Sequence, residues 1–386
     1  MEIAGQKSRH GSIFSRLLII FALLIPGCGQ DSAEQADNII QVPPSISVPP
    51  APQTPPPIIE VIGESRMLNG VAPVTLTHTV DKVLSVYSFD DRGQKISYDE
   101  NTDWVRSGNG IARTSQSRIP DFSKYDYKRT VGNRFSFSSE PRNPPLTINF
   151  NVYVDYTSQQ GEKIVTRQPM SKESKSILCL GDSISAGAHT IESFYKDNDS
   201  QSWCGLLRST LAPDIVVRNE GVPGGALNTI ARNLPTYIAI PGDTVVLAFG
   251  MNDHVFEPEG GVATFSKDLV DVVSAFRTRG SNVILVGFFQ KNELWDLEDP
   301  AKTLSYNNAI ETVSKNLNVP FIDIYKVYED LRINQQPQFF HLTADFIHHP
   351  NIYGQRIYYS LLIPYFLRSD TKDSQIKHYV RGSWTR

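Results

Sequence analysis

Between residues 60 and 170 apolar and polar positions alternate in short stretches. VTLTHTV (74–80), RFSFSS (134–139) and TINFNVYVDY (147–156) show the pattern, with turn residues between them (DDRG, SGNG, PRNPP). A period of two bounded by Gly, Pro, Asn and Asp predicts half-buried antiparallel strands. The form expected for 59–171 is a small β-sandwich or jelly roll. Trp104, Tyr125, Tyr127, Phe135 and Phe137 lie in this region. Such rings ordinarily pack in a core or across strands, and lining a carbohydrate surface is the alternative.

After Lys175 the period changes. SILCLGDS, DIVVRNEG, DTVVLAFG, NVILVGFF and VPFIDI are continuous apolar runs that end in polar or turn residues. Runs apolar on both faces belong to parallel strands covered by helices. Helical spacing fills the intervals, over 201–211, 225–234, 262–278, 302–317 and 351–368, with Leu269, Val272, Val273 and Phe276 on one side of the third. Alternating β and α units predict a doubly wound parallel α/β sheet over 172–370, followed by a solvated tail, 371–386. In such sheets a ligand sits at the carboxyl ends of the strands.

The N-terminus follows a different rule. Lys7, Arg9 and Arg16 precede the apolar run LLIIFALLIP (17–26), and no charge returns until Asp31. A basic segment, a short apolar segment and small residues describe an export signal, here 1–27. The run is far shorter than the roughly 20 residues a spanning helix needs. LLIPGC resembles a bacterial lipobox, which implies lipidation of Cys28, a bilayer partner through that anchor, and a place in the cell envelope. Gly29 after the cysteine goes with the outer membrane, facing periplasm or cell surface. Eight of the 25 prolines fall between Pro43 and Pro57. Proline excludes helix and central strand, so 28–58 reads as an extended tether.

Composition narrows the function classes. The 386 residues carry a net charge of −4, which leaves no electrostatic footprint for nucleic acid. Three cysteines cannot build a disulfide framework or a four-thiolate zinc site. Cys179 and Cys204 either pair or remain buried thiols. His189 and His341 lack ligand spacing, so no metal is expected.

Chemistry gathers at the strand ends. The first ends in Gly181-Asp182-Ser183, the second in Asn219-Glu220-Gly221-Val222-Pro223-Gly224, and the third in Gly250-Met251-Asn252-Asp253; Asp345-Phe346-Ile347-His348-His349-Pro350 precedes the last helix. A serine needs a histidine to take its proton, and the histidine needs a carboxylate to fix its tautomer. Asp345 and His348 stand three apart on one loop. The Ser183 N–H, a glycine N–H and the Asn252 amide are candidate oxyanion donors. His254 is either a substrate contact or a surface loop residue.

These blocks resemble the SGNH, or GDSL, hydrolase superfamily across 175–368. The resemblance implies a flavodoxin-like three-layer fold, Ser183 as nucleophile, Gly224 and Asn252 in the oxyanion hole, and Asp345 with His348 as the acid–base pair. It implies ester hydrolysis without metal or cofactor, most often deacylation or deacetylation. One departure opens a rival: the family ends D-x-x-H-P, whereas this chain reads D-F-I-H-H-P. Aspartate spacing selects His348; Pro350 and Gly354 select His349. Orientation by a nearby carboxylate favours His348. The expected activity is an exported serine esterase removing acyl groups, acetyl foremost, from a carbohydrate. The alternatives are an acyltransferase acting on a glycan and a non-catalytic glycan-binding lipoprotein.

Overall fold

The computed structural model describes residues 58–368 apart from 91, 125–149, 160–167, 169, 171–172, 189–198, 257–259, 294, 296, 333–340 and 346. The export signal, Cys28, most of the tether, the tail, His189, and Tyr125, Tyr127, Phe135 and Phe137 lie outside these residues.

Two antiparallel sheets form the N-terminal part. One has the order β1 (Ile59–Arg66), β7 (Val152–Ser158), β3 (Lys82–Phe89) and β4 (Lys95–Tyr98). The other has the order β2 (Val74–Thr75), β6 (Gly110–Arg113) and β5 (Trp104–Ser107). Val61, Val86, Ile111, Val152 and Val154 share a core with Trp104. The Trp104 indole N–H donates to the Tyr98 carbonyl at 3.1 Å, so this ring packs inside and lines no surface. The alternation of 74–80 predicts a longer strand than β2. Asn109 explains the difference: its side chain donates to the carbonyls of Leu76 and His78, and accepts the Val80 N–H, in place of a strand partner.

The second sheet is parallel. Its order is β12 (Phe321–Ile322), β11 (Asn282–Val286), β10 (Thr244–Ala248), β8 (Ser176–Gly181) and β9 (Val216–Gly221). Counted along the chain this is the flavodoxin-like order, whose direction reverses between β8 and β10. The central strands are buried on both faces, as their unbroken apolar runs require. Their cover includes α2 (Trp203–Thr210), α3 (Leu227–Arg232), α4 (Leu234–Ile238), α5 (Gly261–Thr278) and α6 (Pro300–Leu317). Leu269, Val272, Val273 and Phe276 form the buried side of α5, as their spacing predicts. The stretch 225–234 breaks in two because Pro235 restarts the chain as α4. After α7 (Ile324–Asp330), α8 (Ile352–Leu362) is buried along nearly its whole circumference, and Ile352 packs against Tyr87 and Tyr153 of the sandwich. Cys179 and Cys204 form a disulfide joining β8 to α2. Among the described residues no helix is long and apolar enough to cross a membrane.

Candidate active site

At the end of β8 the chain turns into the short helix α1 (Ser183–Ala186). Asp182 caps it, its Oδ1 accepting the Ile184 N–H at 2.9 Å. This turn sits directly on the strand ends, and two glycines allow the approach. A Cβ on Gly181 would stand 2.1 Å from Ser185 Oγ, and one on Gly221 would stand 2.6 Å from Ala186 N. Ser183 opens α1, so its N–H has no partner within that helix.

The carboxylate and the base come from the loop before α8. Asp345 Oδ1 accepts three successive backbone N–H groups, of Ile347 (2.9 Å), His348 (2.7 Å) and His349 (3.0 Å). That wraps the chain tightly around the carboxylate. Its other oxygen, Oδ2, lies 2.5 Å from His349 Nδ1, and His349 Nε2 lies 3.0 Å from Ser183 Oγ. An Nδ1–H donated to Asp345 leaves Nε2 bare to accept the serine proton.

The expectation that favoured His348 is therefore corrected: the structure places His349 between Asp345 and Ser183. With three consecutive N–H groups drawn onto one oxygen, the last of the three residues, His349, turns its ring back to the second oxygen. The His348 ring instead stacks near Trp295, with centroids 6.3 Å apart, and against His349 at 4.1 Å. Asp345, His348 and His349 also hold ligand-type atoms within 4.8 Å of one another. Asp345 is bonded to His349 and His349 to Ser183, an arrangement suited to taking a proton from the hydroxyl.

Asn252 and Gly224 complete the set of residues named from the sequence. The Asn252 side-chain amide donates to the Gly225 carbonyl at 2.9 Å, which ties the β10 turn to the glycine loop and leaves its second hydrogen for a ligand. Asp253 makes the tie firmer. It accepts the Leu227 N–H on Oδ1 (2.9 Å) and the Gly250 N–H on Oδ2 (3.0 Å). Burial pushes the Asp253 carboxyl up to about 7, against those two bonds, and pushes Asp182 up to about 6.

Two further residues, Lys291 and Trp295, lie beside these groups without a motif of their own. Lys291 is 2% exposed, with its Nζ 4.9 Å from the centre of the Trp295 ring. Burial brings its pKa down to about 7, opposed by the charges of Glu298, Asp182 and Asp345. No spacing pattern in 287–299 announces Lys291 or Trp295. His254 is neither a surface residue nor placed for substrate. It is buried, with Nδ1 3.0 Å from the Gly250 carbonyl and Nε2 3.1 Å from Thr303 Oγ1, and Thr303 donates to Glu298 at 2.8 Å.

A serine, histidine and aspartate in hydrogen-bonded series at the switch point of a parallel sheet define a serine-hydrolase type of centre. Residues 179–357, a little under half of the chain, match the GDSL-like Lipase/Acylhydrolase family. Similar solved structures include a G-D-S-L family lipolytic protein from Veillonella parvula (21% identity, 50% of this chain and 98% of that one, TM-score 0.41). A lipase/acylhydrolase from Enterococcus faecalis shares 24% identity over 49% of this chain and 93% of that one, with a TM-score of 0.41. An acetylxylan esterase from Geobacillus stearothermophilus, solved as a catalytic mutant, shares 16% over 52% and 100%, with a TM-score of 0.40. No curated protein matches the chain.

Proposed function

We propose that this chain is an exported, lipid-anchored serine esterase that removes acyl groups, acetyl foremost, from a carbohydrate. The observation that carries the catalytic part is the series Asp345 Oδ2, His349 Nδ1, His349 Nε2, Ser183 Oγ, with separations of 2.5 Å and 3.0 Å. Ser183 Oγ attacks the ester carbonyl carbon while its proton passes to His349 Nε2. Asp345 holds the ring and stabilises the imidazolium. The oxyanion is received by the Ser183 N–H, the Gly224 N–H and the free hydrogen of the Asn252 amide. His349 then gives its proton to the departing alkoxide, leaving an acyl-serine. Water, deprotonated by the same nitrogen, releases the carboxylic acid and restores Ser183.

The location and the substrate rest on other features. The basic and apolar N-terminus with Cys28 supports export and anchoring, and a disulfide between Cys179 and Cys204 fits an oxidising compartment. An enzyme tethered outside the cytoplasm meets acylated glycans of the envelope, which supports the carbohydrate class. Hydrolysis of acetylated oligosaccharides, short-chain nitrophenyl esters and phospholipids by wild type and Ser183→Ala tests the reading. Acetate release from the glycans, absent in Ser183→Ala, is expected. Preference for long-chain lipid esters would refute the carbohydrate part, and acyl transfer to an added sugar would refute hydrolysis. Detergent-phase partition lost in Cys28→Ala tests the anchor.

A further inference from the structure

The β-sandwich meets the loop that carries Asp345 and His349 through a cluster of buried polar side chains. Asp345 and His349 occupy the tip of a hairpin closed by the Ala344 N–H to the His349 carbonyl (2.8 Å), the Thr343–Pro350 bridge and the Asn351 N–H to the Leu342 carbonyl (3.0 Å). The feet of the hairpin are His341 and Asn351. There the Asn351 side-chain amide reaches Asn151 Oδ1 at 2.9 Å, the His341 carbonyl at 2.9 Å and Ser65 Oγ at 3.1 Å. Ser65 in turn donates its hydroxyl to the His341 carbonyl. Ser65 belongs to β1, Asn151 directly precedes β7, and Ser65, Asn151 and Asn351 have no exposed surface.

A second contact fixes the same edge. β1 shifts register between Val61 and Glu64, and this bulge turns the Ile62 carbonyl to Arg356 Nη1 of α8 at 2.6 Å. Gly63, with φ +63°, is the point of closest approach: a Cβ there would lie 2.1 Å from Nη1. Its own N–H is held by Asp155 Oδ1 of β7 at 2.7 Å. The sandwich thus meets both the feet of the hairpin and the helix that follows it.

We propose that the β-sandwich is a fixed positioning element of the active site, in which Ser65 and Asn151, acting through Asn351, set the hairpin that carries Asp345 and His349. The proposal rests on the serine-hydrolase reading of that hairpin. Its physical basis is the tolerance of proton transfer to position: a misplacement of about 1 Å at a reacting group lowers the rate about 100-fold. Buried hydrogen bonds between strands of a sheet and the feet of a loop supply that restraint, because an unpaired buried donor has no water to turn to. A freely hinged binding module would have no reason to place its polar groups there.

The test compares Ser65→Ala and Asn151→Ala with Val86→Ala, a change in the sandwich core that removes none of the polar contacts named above. Steady-state kinetics on a nitrophenyl ester and amide hydrogen exchange are both measured on the full chain. In the two polar variants kcat should fall roughly 10- to 100-fold with KM within twofold, and exchange across 342–351 should rise at least tenfold. Val86→Ala should lower the melting temperature with kcat unchanged. Unchanged kcat in the polar variants, whatever the exchange, would overturn the proposal, as would unchanged exchange in the hairpin. A wild type without activity, together with raised exchange in the variants, would refute the esterase reading while the support of the hairpin stood.

Discussion

Replacing the two adjacent histidines separately should give very unequal results. In His349→Ala the ring that lies 3.0 Å from Ser183 Oγ and 2.5 Å from Asp345 is gone, and no other histidine takes its place in that series. The serine then loses its base, and the partner of Asp345 is lost with it. Removing the base of such a triad lowers kcat by about 10⁶, or about 8 kcal/mol of barrier at 1.36 kcal/mol per tenfold. In His348→Ala the losses include ring contacts with Trp295 and with His349, while the series from Asp345 through His349 to Ser183 stays in place. An aromatic contact of about 1 kcal/mol corresponds to no more than about a tenfold change in rate. The assay is initial-rate hydrolysis of nitrophenyl acetate, with circular dichroism and melting curves to show that both variants fold. Loss of activity in His348→Ala with retention in His349→Ala would refute the reasoning. Equal large losses would show that the hairpin, not the base, had failed.

Other consequences can be measured alongside. Asn252→Ala should lower kcat about 10²- to 10³-fold with little change in KM, since the amide acts on the developing oxyanion. Reducing the Cys179–Cys204 bond should cost about 3–4 kcal/mol of stability in a denaturant titration, from closure of a loop of separation 25. His341 is buried and brought down to about 3, chiefly by burial and then by Arg66. The unfolded chain binds that proton near pH 6.5 and the folded chain only near 3. The contribution is therefore present above pH 6.5 and lost as pH falls, at up to about 1.4 kcal/mol per pH unit. The stability difference between wild type and His341→Leu, followed by urea titration, should shrink across that window; a constant difference would refute it. Asp182 has the opposite sign, because burial raises it to about 6. Asp182→Asn keeps an acceptor for the Ile184 N–H and should gain on wild type as pH rises from about 4 to 6; no gain would refute the burial argument.

What was legible in the sequence follows from what local pattern can encode. Buried parallel strands must be apolar on both faces, so β8, β10 and β11 stand out, and the ends of β8 and β10 mark where Ser183 and Asn252 lie; β9 is an edge strand with Val216 half exposed, and its run is apolar only in part. The side of α5 that packs inward is likewise written in a 3.6-residue period. The base was misread because spacing counts residues and not turns: three N–H groups gathered on Asp345 Oδ1 bring His349, one residue later, back to Oδ2. His254 was open because burial by Phe288 and Tyr306 depends on elements distant in the chain. Lys291 and Trp295 lie in an irregular loop where no period operates. The pairing of Ser65 with Asn351 spans a separation of 286 residues, which no local pattern records.

The central claim is that Ser183 is a nucleophile activated by His349. Intact-mass and peptide analysis after exposure to a fluorophosphonate tests it most directly. The account predicts one phosphonyl adduct, located on Ser183, absent in Ser183→Ala and formed at a strongly reduced rate in His349→Ala. A folded wild type that takes no adduct, or takes it at another residue, would contradict the account.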